Sequence, residues 1–240
     1  MTYRSYIKKL TRNFGFEINT RNLYTSEGVR LKKLFDYHKV SLVIDIGANE
    51  GQYSQLIREA GFLGRILSFE PLSASYKILH SKCQKDKHWD APIQTAIGKF
   101  DGEVTIHISE NFVSSSILTI LDAHTQAAPQ SDYINSEVVK ISKLDTILPD
   151  YIKNRDETIF LKIDVQGAEQ QVLQGATNWL PLISGIQLEM SLVPLYEGQA
   201  LYDEIIEHML ALGMRLVAVF PGFSDMKTGH MLQFDGVFFR

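Results

Sequence analysis

The chain has few of the residues that build disulfide frameworks and metal clusters. Its 240 residues include one cysteine, Cys83, which excludes an intrachain disulfide and a cysteine-rich zinc or iron–sulfur site. Polar and charged neighbours place Cys83 at what we predict to be an exposed helix end. The seven histidines show no zinc spacing. No metal site is predicted, although paired carboxylates leave a divalent cation open as an alternative.

Long apolar runs and an excess of positive charge are also absent. The longest uncharged stretch, residues 170–188, contains glutamines, a proline and two glycines, which do not fit a membrane span. Residues 1–10 hold no apolar run of the kind found in signal peptides. The net charge of −4 argues against a nucleic-acid partner. We therefore expect a cytoplasmic protein with no integral membrane segment and no bound nucleic acid.

The overall composition is that of an ordinary globular protein. Hydrophobic residues make up 45% of the chain and charged residues 22%, at a length that fits one large domain or two small ones. Leu31, Leu34 and Phe35 recur at helical spacing, which predicts a helix over 26–38. We predict an N-terminal helical extension over residues 1–40 and one α/β domain over 41–240.

Short apolar runs alternate with helical patterns in that domain, which is typical of a parallel α/β sheet. The predicted strands are residues 42–46, 65–70, 92–97, 159–164, 185–190, 215–220 and 234–239. The predicted helices between them are residues 52–60, 73–81, 168–174 and 201–212. The last two strands are close enough in sequence to form an antiparallel hairpin, with no crossover helix between them.

An insertion interrupts this alternation. Residues 103–109 and 137–141 alternate with period two, which predicts an inserted pair of half-exposed strands. Residues 110–136 have no clear period and are rich in Ser, Asn, Gln and Ala. A long stretch without regular structure inside a compact domain is usually functional, so we predict a lid loop there.

Two features after the first two strands predict a nucleoside site. The first strand ends at Asp45 and runs into a turn that contains Gly47, Asn49 and Gly51, and the second strand ends at Glu70. Glycine lets backbone approach a ligand, and the ligand crevice of a parallel sheet lies at the carboxyl ends of its strands. An acidic residue after the second strand can accept both ribose hydroxyls.

The kind of nucleoside leaves alternatives open. The dinucleotide fingerprint Gly-x-Gly-x-x-Gly, started at Gly47, meets Asn49 and Gln52 where its second and third glycines should be, which disfavours an NAD-dependent oxidoreductase. A Walker loop is absent. A non-catalytic nucleoside-binding module is the other alternative, because a fold does not by itself define a function.

The segment 43–54, VIDIGANEGQYS, resembles the glycine-rich motif of class I S-adenosylmethionine-dependent methyltransferases, and more closely that of the FkbM family. The resemblance continues at residues 69–71 and 95–98, is strongest over 161–176, and ends at 235–239. It implies a Rossmann-like, doubly wound α/β sheet of about seven strands with the inserted strand pair and lid loop. Gln166 departs from the family pattern, which commonly has Glu there.

The resemblance implies S-adenosylmethionine as the cofactor and S-adenosylhomocysteine as its product. Asp45, Gly47, Asn49 and Gly51 would surround the methionine part, Glu70 would bind the ribose, and Thr95 and Ala96 would lie near the adenine. The full set of implied cofactor residues is Asp45, Gly47, Asn49, Gly51, Tyr53, Glu70, Pro71, Thr95, Ala96 and Asp164.

A hydroxyl acceptor must lose a proton, which requires a positioned base. Asp164 ends its strand beside the expected methyl group, and Lys162 shares its strand face and can pair with it. Glu189 ends the next strand as orienter or second base, and His230 before the last strand is another candidate base. We predict O-methyl transfer to a small-molecule or glycan hydroxyl of a sugar or natural product. Two further groups are weighed as lining the acceptor pocket: Ser114 to Ser116, and Tyr196.

Overall fold

The structure is a computed structural model that describes residues 10–11, 13–16, 19–153 and 156–240. Its α-helices are α1 Glu27–His38, α2 Gln52–Glu59, α3 Ser73–Cys83, α4 Asp122–Ala127, α5 Leu144–Tyr151, α6 Glu169–Gln174 and α7 Tyr202–Ala211. Its strands are β1 Leu42–Ile46, β2 Arg65–Phe69, β3 Trp89–Asp90, β4 Ala96–Ile97, β5 Gly102–Ser109, β6 Tyr133–Ser142, β7 Ile159–Ile163, β8 Ile183–Ser191, β9 Arg215–Pro221 and β10 Gln233–Phe239.

Seven strands form the main sheet, in the order β3-β2-β1-β7-β8-β10-β9. The first five are parallel, and β10 lies antiparallel between β8 and β9. The predicted α/β class and the antiparallel last pair are confirmed. The chain leaves the sheet after β3 and returns at β7, beside β1, so the strand order reverses there. A ligand crevice is expected at such a switch point, at the carboxyl ends of the strands.

Helices cover both faces of the sheet, which explains the continuous apolar runs of its strands. In β1, Leu42, Ile44 and Ile46 pack in the core shared with α5, α6 and α7. Val43, between them, points to the opposite core, which α1, α2 and α3 complete. Every residue of β1 is buried.

Helix α1 is part of this core, although its residues fall within the predicted N-terminal extension. The side chain of Ser26 caps the helix by accepting a hydrogen bond from the Val29 amide. The Phe35 ring meets the ring of Phe160 on β7 edge-on, with 4.8 Å between centroids. The extension prediction also covers residues 1–9, 12, 17 and 18, which lie outside the described residues.

The predicted third strand, residues 92–97, is placed wrongly. The third strand of the main sheet is Trp89–Asp90, and Ala96–Ile97 forms β4 in a separate sheet of order β4-β6-β5. Within residues 92–97, one isolated bridge joins Gln94 to Glu70 at the end of β2, and the chain then turns to pair with β6. The two predicted inserted strands correspond to β5 and β6 of this second sheet, and β4 is its third strand.

Two smaller predictions also need correction. Residues 110–136 are not structureless, because they hold α4, a 3₁₀ turn at Pro129–Ser131 and the start of β6. Cys83 is buried against Leu79 and not exposed, and this burial raises the pKa of its thiol to about 12. In the described part of the chain, no helix combines the length and apolar character needed to cross a membrane.

Candidate active site

A cavity of about 540 Å³ opens at the carboxyl ends of β1, β2, β7 and β8, a size typical of small-molecule sites. Most of the residues predicted from the sequence meet in it. Those that line it are Asp45, Gly47, Asn49, Tyr53, Glu70, Pro71, Thr95, Ala96, Lys162, Asp164 and Glu189.

Two predicted site residues lie outside this cavity. Gly51 is the N-cap of α2 with φ +88°, and a Cβ there would lie 2.7 Å from the Trp89 ring. Position 51 therefore needs glycine because the Trp89 ring packs against it behind the turn. His230 is exposed on the loop between β9 and β10 and is not part of the cavity wall. A role as the base is not supported by this position.

The turn after β1 approaches the end of β7 very closely. Gly47 has φ +74°, and a Cβ on it would lie 1.8 Å from the Asp164 carbonyl oxygen. The amides of Gly47 and Ala48 both donate to the Phe69 carbonyl at 3.0 Å. Glycine therefore lets this turn join β1, β2 and β7 at one point, a close approach within the protein that the sequence analysis did not predict.

The carboxylate of Glu70 is held by two backbone amides. Asn49 N donates to Oε2 at 2.8 Å, and Leu72 N donates to Oε1 at 2.9 Å. Burial raises the pKa of Glu70 to about 7, against the lowering effect of these two bonds. Each carboxylate oxygen can accept a second hydrogen bond, so Glu70 can still receive a pair of hydroxyls.

Asp45 anchors the start of α2 from below the turn. Its Oδ2 accepts a hydrogen bond from the Ser54 hydroxyl at 2.8 Å, and that hydroxyl lies 3.3 Å from Oγ of Ser68. Burial raises the pKa of Asp45 to about 6, which the Ser54 bond opposes. The carboxylate thus both lines the cavity and ties α2 to the sheet.

Lys162 is buried between two carboxylates. Its Nζ lies 3.2 Å from Asp164 Oδ2 and 3.3 Å from Asp235 Oδ1. Burial alone lowers the pKa of Lys162, but Asp164, Asp235 and Glu189 outweigh it and hold the pKa well above its usual value. The Lys162–Asp164 pair confirms the strand-face argument. Asp235 was missed, because its position beside them depends on the pairing of β10 with β8, which no local pattern shows.

Gln166 connects the two predicted catalytic carboxylates. Its Nε2 donates to Asp164 Oδ1 and to Glu189 Oε2, each at 2.8 Å. Gln233 Nε2 donates to the same Glu189 oxygen at 2.9 Å. Burial raises the pKa of Glu189 well above its usual value, and the charges of Asp164 and Asp235 raise it further. An amide at position 166 therefore supplies two donors that a glutamate could not.

A second layer of hydrogen bonds reaches from the cavity to α1. The Tyr53 hydroxyl donates to Gln187 Oε1 at 3.1 Å. Gln187 Nε2 donates to Glu27 Oε1 at 3.0 Å and to Asp235 Oδ1 at 3.2 Å. Glu27 and Gln187 are 160 residues apart, so no local sequence signal could have joined them.

Three other residues near the site have structural partners, and two of them, Thr95 and Tyr196, were considered from the sequence. Glu169, in the first turn of α6, accepts the amides of Val165 and Gly167 on Oε1 and so closes the loop after β7. The Thr95 hydroxyl donates to the backbone, at 3.0 Å from the Ala96 carbonyl. Tyr196 is buried behind the cavity wall, not on it, and its hydroxyl lies 2.9 Å from Gln166 Oε1.

The serines in the segment between β5 and β6 are part of the cavity wall. Ser114, Ser115 and Ser116 all line the cavity, and the Ser116 hydroxyl donates to the Gln166 carbonyl at 2.7 Å. Among the residues that the structure describes, no group of three or more His, Cys, Asp and Glu side chains is arranged to hold a metal ion.

The strand order, the glycine turn and the buried carboxylate after β2 are those of a class I methyltransferase fold. The family model described as Methyltransferase FkbM domain matches residues 45–216, and the chain belongs to this family. The resemblance stated from the motifs is thereby confirmed.

A solved structure of this family shows the same fold at low sequence identity. The crystal structure of Methyltransferase FkbM from Methylobacillus flagellatus KT has a TM-score of 0.50 and 12% identity, and the match covers 84% of this chain and 44% of that one. This chain therefore spans less than half the length of that protein. Magnesium protoporphyrin IX methyltransferase from Synechocystis PCC 6803, solved with bound SAM, has a TM-score of 0.46 and 11% identity over 88% and 76% of the two chains. No curated protein sequence matches the chain.

Proposed function

We propose that this protein is an S-adenosylmethionine-dependent O-methyltransferase that acts on a hydroxyl of a sugar, glycan or natural product. One observation carries the proposal. The nucleoside-type cradle of Gly47 and Glu70 opens into the same cavity as the paired carboxylates of Asp164 and Glu189. A cofactor and a hydroxyl acceptor can therefore meet in one enclosed space, which is the main requirement of a group transfer.

The residues present fit the cofactor. Glu70 offers two acceptor positions for the ribose hydroxyls, and Pro71, Thr95 and Ala96 line the wall next to it, where the adenine would lie. Asp45 and the Gly47–Asn49 turn would hold the methionine part. The acidic lining suits a ligand that carries a sulfonium and an amino group. When bound, the cofactor supplies the activated methyl group.

We assign the proton-accepting role to Asp164. Its side chain is 37% exposed and lines the cavity, so a substrate hydroxyl can reach it. Lys162 Nζ donates to Oδ2 from below, and Gln166 Nε2 donates to Oδ1 from the side, so the carboxylate is held in one orientation. Glu189 shares the Gln166 amide and acts with Lys162 to position Asp164. These roles fit general-base assistance, which requires a base, here the Asp164 carboxylate, within hydrogen-bond reach of the proton that it removes.

Calorimetry of the purified protein with S-adenosylhomocysteine and with NAD tests the cofactor assignment. We expect S-adenosylhomocysteine to bind at one site per chain and NAD not to bind. At pH 8, above the Glu70 pKa of about 7, Glu70→Ala should weaken that binding by about 2–3 kcal/mol, because hydrogen bonds to a charged group are strong. Glu59→Ala, on the exposed end of α2, is the matched control. NAD binding, or an unchanged affinity in Glu70→Ala, would overturn the assignment.

A further inference from the structure

His124, on α4, is a buried polar side chain in the cavity wall with an unmet hydrogen bond. It is 3% exposed, and its ring lines the cavity. Among the described residues, its Nδ1 is the buried side-chain polar atom without a hydrogen-bond partner. Buried polar atoms in proteins nearly always have partners, so an unpaired one beside a cavity indicates a ligand contact.

The surroundings of His124 keep its ring neutral. The Tyr196 ring lies edge-on at 5.2 Å between centroids, and Phe223 lies at 5.0 Å on another side. Desolvation by these neighbours lowers the pKa of His124 to about 4. A neutral imidazole has one donor and one acceptor nitrogen. Because Nδ1 has no partner within the described protein, it can take one from a ligand in the cavity.

The wall beside His124 combines hydroxyl groups with aromatic faces. Asn111 Nδ2 donates to Ser114 Oγ at 3.0 Å, and that oxygen lies 3.1 Å from Ser131 Oγ. Phe112 and Phe223 line the same part of the cavity. Fixed hydroxyl groups can pair with ligand hydroxyls, while aromatic faces can cover the apolar C–H face of a ring.

The charge of the cavity argues against an anionic acceptor. Asp45, Glu70, Asp164 and Glu189 line it, and among the described lining residues only Lys162 carries a permanent positive charge. Lys162 is already paired with Asp164 and with Asp235. A phosphate or carboxylate on the acceptor would meet the Asp164 carboxylate, and the described lining residues offer it no unpaired cationic side chain, which favours an uncharged acceptor.

We propose that the wall around His124 is the acceptor subsite, that it takes an uncharged polyhydroxylated ring, and that His124 hydrogen-bonds to one of its hydroxyls. This inference rests on the proposed function, because the acceptor concerned is the one that receives the methyl group. It adds the substrate class and a substrate-binding residue to that function.

The test pairs neutral acceptors with anionic ones. The methyl glycosides of glucose, galactose and mannose, and the matching uronic acid of each, are incubated with the full chain and methyl-labelled S-adenosylmethionine. We expect label in at least one neutral glycoside, with at least about tenfold less in its uronic acid. His124→Gln should raise the KM for that glycoside roughly two- to tenfold, the range of one neutral hydrogen bond. The affinity of His124→Gln for S-adenosylhomocysteine should stay unchanged. His208→Gln, on the exposed face of α7, is the matched control.

A second measurement does not depend on the variant folding. The wild-type protein is saturated with S-adenosylhomocysteine, and the glycoside that accepted label in the first test is then added. The ¹⁵N signals of the His124 imidazole should shift. Equal labelling of the uronic acids, an unchanged KM in His124→Gln or unshifted imidazole signals would each overturn the inference. No label in any glycoside would overturn the substrate class, while intact S-adenosylhomocysteine binding would leave the methyltransferase assignment standing. Failure of the wild-type protein to bind S-adenosylhomocysteine would instead overturn the proposed function.

Discussion

The side-chain amide of Gln166 lies 2.8 Å from Oδ1 of Asp164 and fixes the orientation of that carboxylate. With Oδ1 bound to the amide and Oδ2 bound to Lys162, the remaining acceptor positions of Asp164 are those that a substrate hydroxyl can use. The loop that makes this contact is tightly constrained, since Gln166 and Gly167 both have positive φ, at 54° and 95°.

Replacing Asp164 tests its role as the base. Asp164→Asn keeps the size and removes the basic oxygen, so we expect kcat to fall about 10²- to 10⁴-fold while cofactor affinity stays within a few-fold. Asp235→Asn is the matched control, because both carboxylates contact Lys162 but Asp235 does not line the cavity. We expect a much smaller loss of kcat in the control. Equal losses in the two variants would show that the Lys162 ion pairs matter and that no base acts at position 164.

The close approach at Gly47 should make that position intolerant of any side chain. Gly47→Ala would place a Cβ against the Asp164 carbonyl oxygen, in addition to the strain of its positive φ. Gly198→Ala is a matched control, because Gly198 has φ +71° and nothing within 4 Å of the added Cβ. We expect the unfolding free energy of Gly47→Ala to fall about 1–3 kcal/mol further than that of Gly198→Ala, the usual cost of overpacking. Urea denaturation gives both values, and equal losses would mean that the turn can move away from β7.

The raised pKa of Glu70 should make stability depend on pH. Its folded pKa of about 7 exceeds its usual value of 4.5, so its contribution is fully present below pH 4.5 and is lost as the pH rises through 7. The unfolding free energy of wild type minus that of Glu70→Gln should fall by about 3 kcal/mol from pH 4 to pH 8. Glu70→Gln also loses one of the two oxygens that accept backbone amides, but the resulting loss of stability does not change with pH. A difference that does not change with pH would contradict the buried, proton-holding state of Glu70.

The sequence predicts the parts of this protein that depend on short-range patterns. The strands β1 and β7 are buried on both faces, so they appear as apolar runs with a single charged residue each, Asp45 and Lys162. The glycine turn and Glu70 follow from motif positions. The third strand was misplaced because Trp89–Asp90 is too short to show a period. The six-residue helix α4 was missed for the same reason.

The hydrogen-bond network around Lys162 could not be predicted from short-range sequence patterns. It joins Glu27 of α1, Gln187 of β8 and Asp235 of β10, and these meet only when the sheet has formed. The bridging role of Gln166 also depends on where Glu189 lies across the cavity. A pattern of residue types along the chain does not contain these distances.

The inserted segment should respond to ligand. Residues 111–131 carry Asn111, Ser114, His124 and Ser131 in the cavity wall, and lid segments belong to the less stable parts of a fold. We expect their amide hydrogen exchange to slow about tenfold or more when S-adenosylhomocysteine and a neutral glycoside are both bound. The amides of β7 should not change. Slow exchange in 111–131 without ligand would show a fixed insertion and not a lid.

Transfer of the methyl group to oxygen is the central claim, and one measurement tests it directly. The protein is incubated with S-adenosylmethionine that carries ¹³C in its methyl group and with a panel of sugars and other polyhydroxylated compounds, and the products are analysed by mass spectrometry and ¹³C NMR. We predict a product heavier by one labelled methyl group, with the carbon shift of a methoxy group, formed by wild type and nearly absent with Asp164→Asn. Label found on nitrogen, carbon or sulfur, or equal product formation by Asp164→Asn, would contradict the account.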